Sequence, residues 1–184
     1  MNLPNKLTIL RVIMIPVFLV VLLCPLGIDS QLARYIATAI FCIASATDAL
    51  DGYIARKYNL VTNFGKFMDP LADKLLVCSA MIALIGMPDA HVALPNWVVI
   101  IIIAREFIIT GFRTLAAEQN VVIAASKWGK AKTISQMLML ILLLLNFGGV
   151  IFTYTATALL WLSVVLTIVS AFDYIIKNIR VLKE

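Results

Sequence analysis

Residues 48–73 read DALDGYIARKYNLVTNFGKFMDPLAD, placing carboxylates at Asp48, Asp51, Asp69 and Asp73 beside or inside segments apolar enough to lie in a membrane. A carboxylate at membrane depth costs at least about 2.5 kcal/mol, so acids there usually face a polar cavity and mark a site. On a helix Asp48 and Asp51 stand at i, i+3 and Asp69 and Asp73 at i, i+4, so each pair shares one face. Two such faces opposed make a nest of oxygen ligands, which suits hard cations such as Mg²⁺, Mn²⁺ or Ca²⁺. Taken singly, Asp69 before Pro70 also reads as a helix cap with proline at the first helical position, and Asp48 as a cap too. Caps do not account for all four, because a membrane helix has no structural need of acids so close together.

The chain around this stretch has 184 residues, 62% of them hydrophobic and 14% charged, with a mean hydropathy of +1.02. That is too apolar for a soluble domain of this size and points to an integral membrane protein, with residues 1–184 forming a single transmembrane domain. Apolar runs predict six spans at about 8–26, 32–54, 69–87, 95–116, 132–149 and 154–176. Runs of this length satisfy their backbone groups in lipid only as helices, so the expected fold is all-α, a bundle of six transmembrane helices. No A-x-A-like cleavage site follows the opening run, so the first span is expected to be retained.

With the N-terminus in the cytoplasm, fourteen of the fifteen Lys and Arg fall on the cytoplasmic side or in the adjoining ends of the spans, and only Arg34 lies opposite. The positive-inside rule then places both termini and the acidic stretch in the cytoplasm, in a multi-pass protein of the inner (cytoplasmic) membrane. Cys24, Cys42 and Cys78 sit in apolar runs without C-x-x-C spacing, which suggests neither a disulfide nor a zinc site. His91 reads as a surface loop residue, and Trp97, Trp128, Tyr154 and Tyr174 near span ends read as an interfacial aromatic belt. No nucleic-acid motif appears, and orientation together with phosphate binding accounts for the net charge of +5.

As a pattern the stretch is Asp48-x-x-Asp51-Gly52-x-x-Ala55-Arg56, eight intervening residues, then Gly65-x-x-x-Asp69-x-x-x-Asp73. It resembles the complete signature of the CDP-alcohol phosphatidyltransferases, matching at all eight fixed positions. The resemblance implies Mg²⁺, or Mn²⁺, held by Asp48, Asp51, Asp69 and Asp73, with Asp73 also the general base, in an enzyme that is usually a homodimer. It also implies that Gly52, Ala55, Arg56 and Gly65 bind the nucleotide lipid CDP-diacylglycerol. The two glycines would let a ligand approach the backbone or let helices pack. Arg56 reads as a planar fork for diphosphate or as a side chain snorkelling with Lys57, and the signature favours the first.

Ahead of the first span, Asn5 and Thr8 share a face and offer neutral hydrogen bonds to a headgroup or base, while Lys6 and Arg11 are expected near anionic headgroups. In the fourth span Arg105 and Arg113, eight apart and near one face, should point into the bundle, and Glu106 is expected to pair internally. Lys127, Lys130 and Lys132 follow in ASKWGKAKT. Exposed lysines are explained equally well by anionic lipid contact, but two arginines within a span are not. Together these residues suggest a basic pocket for the phosphate of a small anionic acceptor.

The stretches NLPNKLTILR, AREFIITGFR and AASKWGKAKT are similar to the phosphatidylglycerophosphate-forming branch of that family. This implies sn-glycerol 3-phosphate as acceptor, with phosphatidylglycerophosphate and CMP as products, and a role for Asn5 and Thr8 in binding the nucleotide lipid. Inositol phosphate would fit a basic pocket as well. Serine would leave it unexplained. An intramembrane prenyltransferase also uses aspartate pairs but lacks the Gly52, Ala55-Arg56 and Gly65 pattern. A cation transporter would place its acids near the midplane rather than at one face.

Overall fold

The computed structural model describes residues 2–24, 27–58, 60, 62–119, 121, 123 and 126–179, without the side chains of residues 49, 56, 63, 66 and 118. It is all-α, with six helices and no strand among the described residues: α1 (Leu3–Leu23), α2 (Ser30–Lys57), α3 (Asn63–Leu84), α4 (Asn96–Glu118), α5 (Lys127–Leu145) and α6 (Val150–Asn178). Four of them, α1, α2 over Ser30–Ala55, α5 and α6, are long and apolar enough to cross a membrane by length and composition. The shortfall in α3 and α4 has a plain cause. They carry clusters of charge, Asp69, Asp73 and Lys74 in one and Arg105, Glu106 and Arg113 in the other.

In α1 and α3 the helix starts depart from the apolar runs because caps, not hydropathy, set them. Asn2 caps α1 by accepting from the Asn5 N–H at 3.2 Å, with Pro4 in the first turn, so the helix begins at Leu3 rather than near residue 8. Thr62 caps α3 by accepting from the Gly65 N–H at 3.0 Å, so α3 starts at Asn63 rather than near residue 69. Asp69 and Pro70 therefore lie inside a helix, and neither Asp69 nor Asp48 is a cap. Proline within a membrane helix is tolerated where neighbouring helices and side chains re-satisfy the freed carbonyl.

The helices fall into two compact units, Met1–Asp89 with Leu144–Asn146, and Ala90–Leu143 with Phe147–Glu184. In the first, α1 packs on both α2 and α3. The buried stripe of α1 is Asn5, Thr8, Arg11, Ile15, Phe18 and Leu22, polar over its first half and apolar over its second. Phe18 meets Phe41 of α2 at 6.0 Å between ring centroids, and the small residues Ala33, Ala37 and Ala44 let the helix backbones approach. The opposite face of α1 exposes Leu10, Ile13, Val17 and Val20, as a lipid-facing surface would. In the second unit α4 packs on α6 around Ile109, Phe112, Ala116 and Tyr174.

Arg34, the basic residue expected apart from the others, is buried and neutralised. Its Nε donates to Asp89 Oδ2 at 3.1 Å and its Nη2 to Oδ1 at 2.7 Å, a bidentate pair within the first unit. These hydrogen bonds hold the Asp89 carboxyl below the ordinary carboxylate range. A carboxylate whose value is lowered on folding adds stability that is present above its unfolded value, about 3.9, and lost as pH falls through the folded value. Asp89→Asn should therefore lower the thermal midpoint in detergent at about pH 7, and the gap from the parent should close on acidification below about pH 3.9. A gap that persists there would separate the Asp89 contribution from its charge.

Candidate functional site

The first unit gathers the acidic residues around the polar half of the α1 stripe. Thr8 Oγ1 donates to Asp69 Oδ1 at 2.6 Å. One turn on, Arg11 Nη1 lies 2.7 Å from Asp48 Oδ1, and Nη2 donates to Asp51 Oδ2. One turn back, Asn5 Oδ1 accepts from Thr62 Oγ1 at 2.9 Å. Asp48, Asp51 and Asp69 stand close enough for their charges to interact. The carboxylates grade outward: Asp51 is buried, Asp48 and Asp69 are half-buried and Asp73, one turn beyond Asp69, is exposed.

Arg11 is the correction here. Headgroup contact is excluded because its side chain is fully buried and committed to two acids of another helix. Breaking a buried pair of this kind by removing one partner costs about 3–5 kcal/mol, because the remaining charge is stranded. The signal was present in the sequence as a third polar residue, three beyond Thr8 and six beyond Asn5, on one helical face.

Gly65 is buried at the centre of this arrangement. A Cβ there would lie 3.3 Å from Thr62 Oγ1 and 3.4 Å from both Asn5 Oδ1 and Asp69 Oδ2, a tight approach that these side-chain oxygens would have to relieve by small shifts. Gly52 and Ala55 sit half-buried on the α2 turns that follow Asp51. The Arg56 backbone lies in α2, and its side chain falls outside the described residues.

Carboxylate and hydroxyl oxygens are the donors a hard divalent cation requires. As they stand, no three His, Cys, Asp or Glu side chains among the described residues are grouped closely enough to hold an ion. The cation between Asp48 and Asp51 is the Arg11 guanidinium.

The basic residues belong to the second unit. Arg105 donates from Nη1 to Glu106 Oε1 at 3.1 Å and from Nη2 to Ser170 Oγ at 2.9 Å, while its buried Nε has no hydrogen-bond partner among the described residues. Lys132 is buried and ion-paired to the same Glu106 oxygen, which confirms that Glu106 pairs internally. Arg113 donates from Nε to the Tyr174 hydroxyl at 3.2 Å and lies over its ring, so both arginines reach α6. Arg113 is exposed rather than pointing inward.

Tyr174 is buried, unlike the exposed Trp97, Trp128 and Tyr154, and does not belong to an aromatic belt. Its hydroxyl is held by Arg113 and its ring packs edge-on against Phe112 at 5.8 Å. Lys127 and Lys130 are exposed in the first turn of α5. Two arginines and a lysine against one glutamate leave the group net positive, suited to an anion.

Residues 1–169 match the family described as CDP-alcohol phosphatidyltransferase. The chain is 47% identical to the CDP-diacylglycerol–glycerol-3-phosphate 3-phosphatidyltransferase of Bacillus subtilis (strain 168), over 99% of this chain and 97% of that protein. It is 42% identical to the protein of the same name from Rickettsia bellii (strain RML369-C), over 94% of this chain and 93% of that one. It is 41% identical to a probable phosphatidylglycerophosphate synthase of Mycobacterium tuberculosis (strain ATCC 25618 / H37Rv), over 97% of this chain and 82% of that one.

Glu106 holds two largely buried cations that would otherwise repel each other. Glu106→Gln should cost about 3 kcal/mol of stability, read as a lowered thermal midpoint in detergent. An unchanged midpoint would show that Arg105 and Lys132 are held by other contacts.

Proposed function

Because the chain belongs to the CDP-alcohol phosphatidyltransferase family, we propose that it transfers the phosphatidyl group of CDP-diacylglycerol to sn-glycerol 3-phosphate, giving phosphatidylglycerophosphate and CMP. The observation that carries this reading is the acidic nest: the signature residues Asp48, Asp51, Gly65 and Asp69 gather at one end of α1–α3, with Asp73 one turn on. The names of the relatives support the acceptor, and the net-positive group of Arg105, Arg113 and Lys132 supports an acceptor that carries a phosphate.

Asp48, Asp51, Asp69 and Asp73 would hold Mg²⁺, or Mn²⁺ in its place, whose charge would offset that of the diphosphate. Asp73 takes the proton from the 1-hydroxyl of glycerol 3-phosphate, and its exposure suits a base that meets an acceptor arriving from water. The freed oxygen attacks the phosphorus that carries diacylglycerol, the bond from that phosphorus to the bridging oxygen of the diphosphate breaks, and CMP leaves. Asn5, Thr8, Gly52, Ala55, Arg56 and Gly65 bind the nucleotide lipid. Arg105 and Arg113, with Lys127, Lys130 and Lys132, bind the acceptor phosphate through charge-assisted hydrogen bonds.

The lipid tails stay in the bilayer while cytidine and acceptor enter from the cytoplasm, on the side where the basic residues concentrate. A single catalytic domain in the inner membrane, paired as a homodimer, completes the reading.

The test is CMP release by the purified protein in detergent with CDP-diacylglycerol and Mg²⁺, comparing glycerol 3-phosphate, inositol phosphate, serine and no acceptor. Release with glycerol 3-phosphate alone, abolished by a chelator, is expected. Release with inositol phosphate instead would keep the acidic site and reassign the basic one. No release with any acceptor would overturn the reaction.

A further inference from the structure

Arg11 is fully buried among the acids, yet incompletely satisfied there. Its Nη1 stands 2.7 Å from Asp48 Oδ1 and its Nη2 donates to Asp51 Oδ2, while Nε and Nη1 have no acceptor in hydrogen-bond geometry among the described residues. An ion pair with a purely architectural role is normally saturated with hydrogen bonds. Here the two Nη nitrogens are spent on the acids and Nε is left without a partner among the described residues.

The guanidinium also does something no other described side chain does at this site. It reaches both carboxylates of the α2 pair from a different helix, so it fixes their separation as well as offsetting their charge. Those are the two tasks that a divalent ion between the same oxygens would perform. A divalent ion carries more charge, whereas Arg11 is covalently tethered and always present.

We propose that Arg11 is a resident counter-ion that spans Asp48 and Asp51 and competes with a divalent cation for their oxygens. The proposal rests on the reading that these acids hold a metal. It assigns the protein a weaker affinity for the free ion than its bare acid cluster would have. Two effects act in the same direction: the cation must displace Arg11 from at least one carboxylate, and it must approach a fixed positive charge in a site of low dielectric.

The competition predicts a gain of metal binding on removal of Arg11, which a merely structural role would not produce. If Arg11 served only to hold the helices, its loss would let the acids separate and metal binding would fall.

The experiment is titration of the full chain in detergent with Mn²⁺ alone, followed by the electron paramagnetic resonance signal of the free ion, for the parent, Arg11→Met and Arg11→Lys. Arg11→Met is expected to bind Mn²⁺ about tenfold more tightly than the parent or better. Arg11→Lys, which keeps the charge but offers no two-nitrogen fork, is expected to fall between them. Should Arg11→Met fail to fold, the order of Arg11→Lys and the parent decides: tighter binding by the lysine variant supports the competition, and equal or weaker binding overturns it. Equal or weaker binding by Arg11→Met, with Mn²⁺ bound by the parent, would overturn the role of Arg11 and leave the metal reading standing. Absence of Mn²⁺ binding in all three would overturn both.

Discussion

A guanidinium buried between two carboxylates is the constraint on which the first unit depends. Asp48 and Asp51 lie on a helix otherwise apolar enough to cross a membrane, and Arg11 meets them from α1. Arg11 and Asp51 are both buried, and either one without the other would be a stranded charge. The rest of α1 follows from the same requirement. Its buried stripe is polar where it faces the acids, at Asn5, Thr8 and Arg11, and apolar where it faces only helix, at Ile15, Phe18 and Leu22. One stripe thus sets both the position of the acids and the packing that keeps α1 in place.

The second unit solves the complementary problem by the same means. Here the cations are in excess, and a single acid, Glu106, draws Arg105 and Lys132 together while α6 supplies Ser170 and the Tyr174 hydroxyl to the arginines. In each unit an opposite charge from this chain steadies the cluster. The acidic group stays net negative and the basic group net positive, so each keeps the sign of its majority.

Much of this was legible in the sequence, for identifiable reasons. The aspartates announced themselves by spacing and by their cost in an apolar setting, and the helices by the length of their apolar runs. Helix starts were not legible from hydropathy, because hydropathy marks contact with lipid whereas Asn2, Pro4 and Thr62 set where α1 and α3 begin. Charge partners were the least accessible feature. Arg11 and Asp51 are 40 residues apart, and their contact follows from how α1 lies on α2. Tyr174 was read from its place near a span end, where an aromatic belt is the usual reason for tyrosine, but Arg113 gives its hydroxyl a partner inside the unit.

The most direct test of the central claim is a double-mutant cycle in thermal unfolding, using Arg11→Met, Asp51→Asn and the two together, in detergent without added metal. If Arg11 and Asp51 form the pair that positions the acidic site, each single variant loses about 3 kcal/mol or more because it strands a charge. The double variant then loses less than the sum by at least about 1 kcal/mol. Losses that simply add would show that the two residues act independently, and the account built on their pairing would fail.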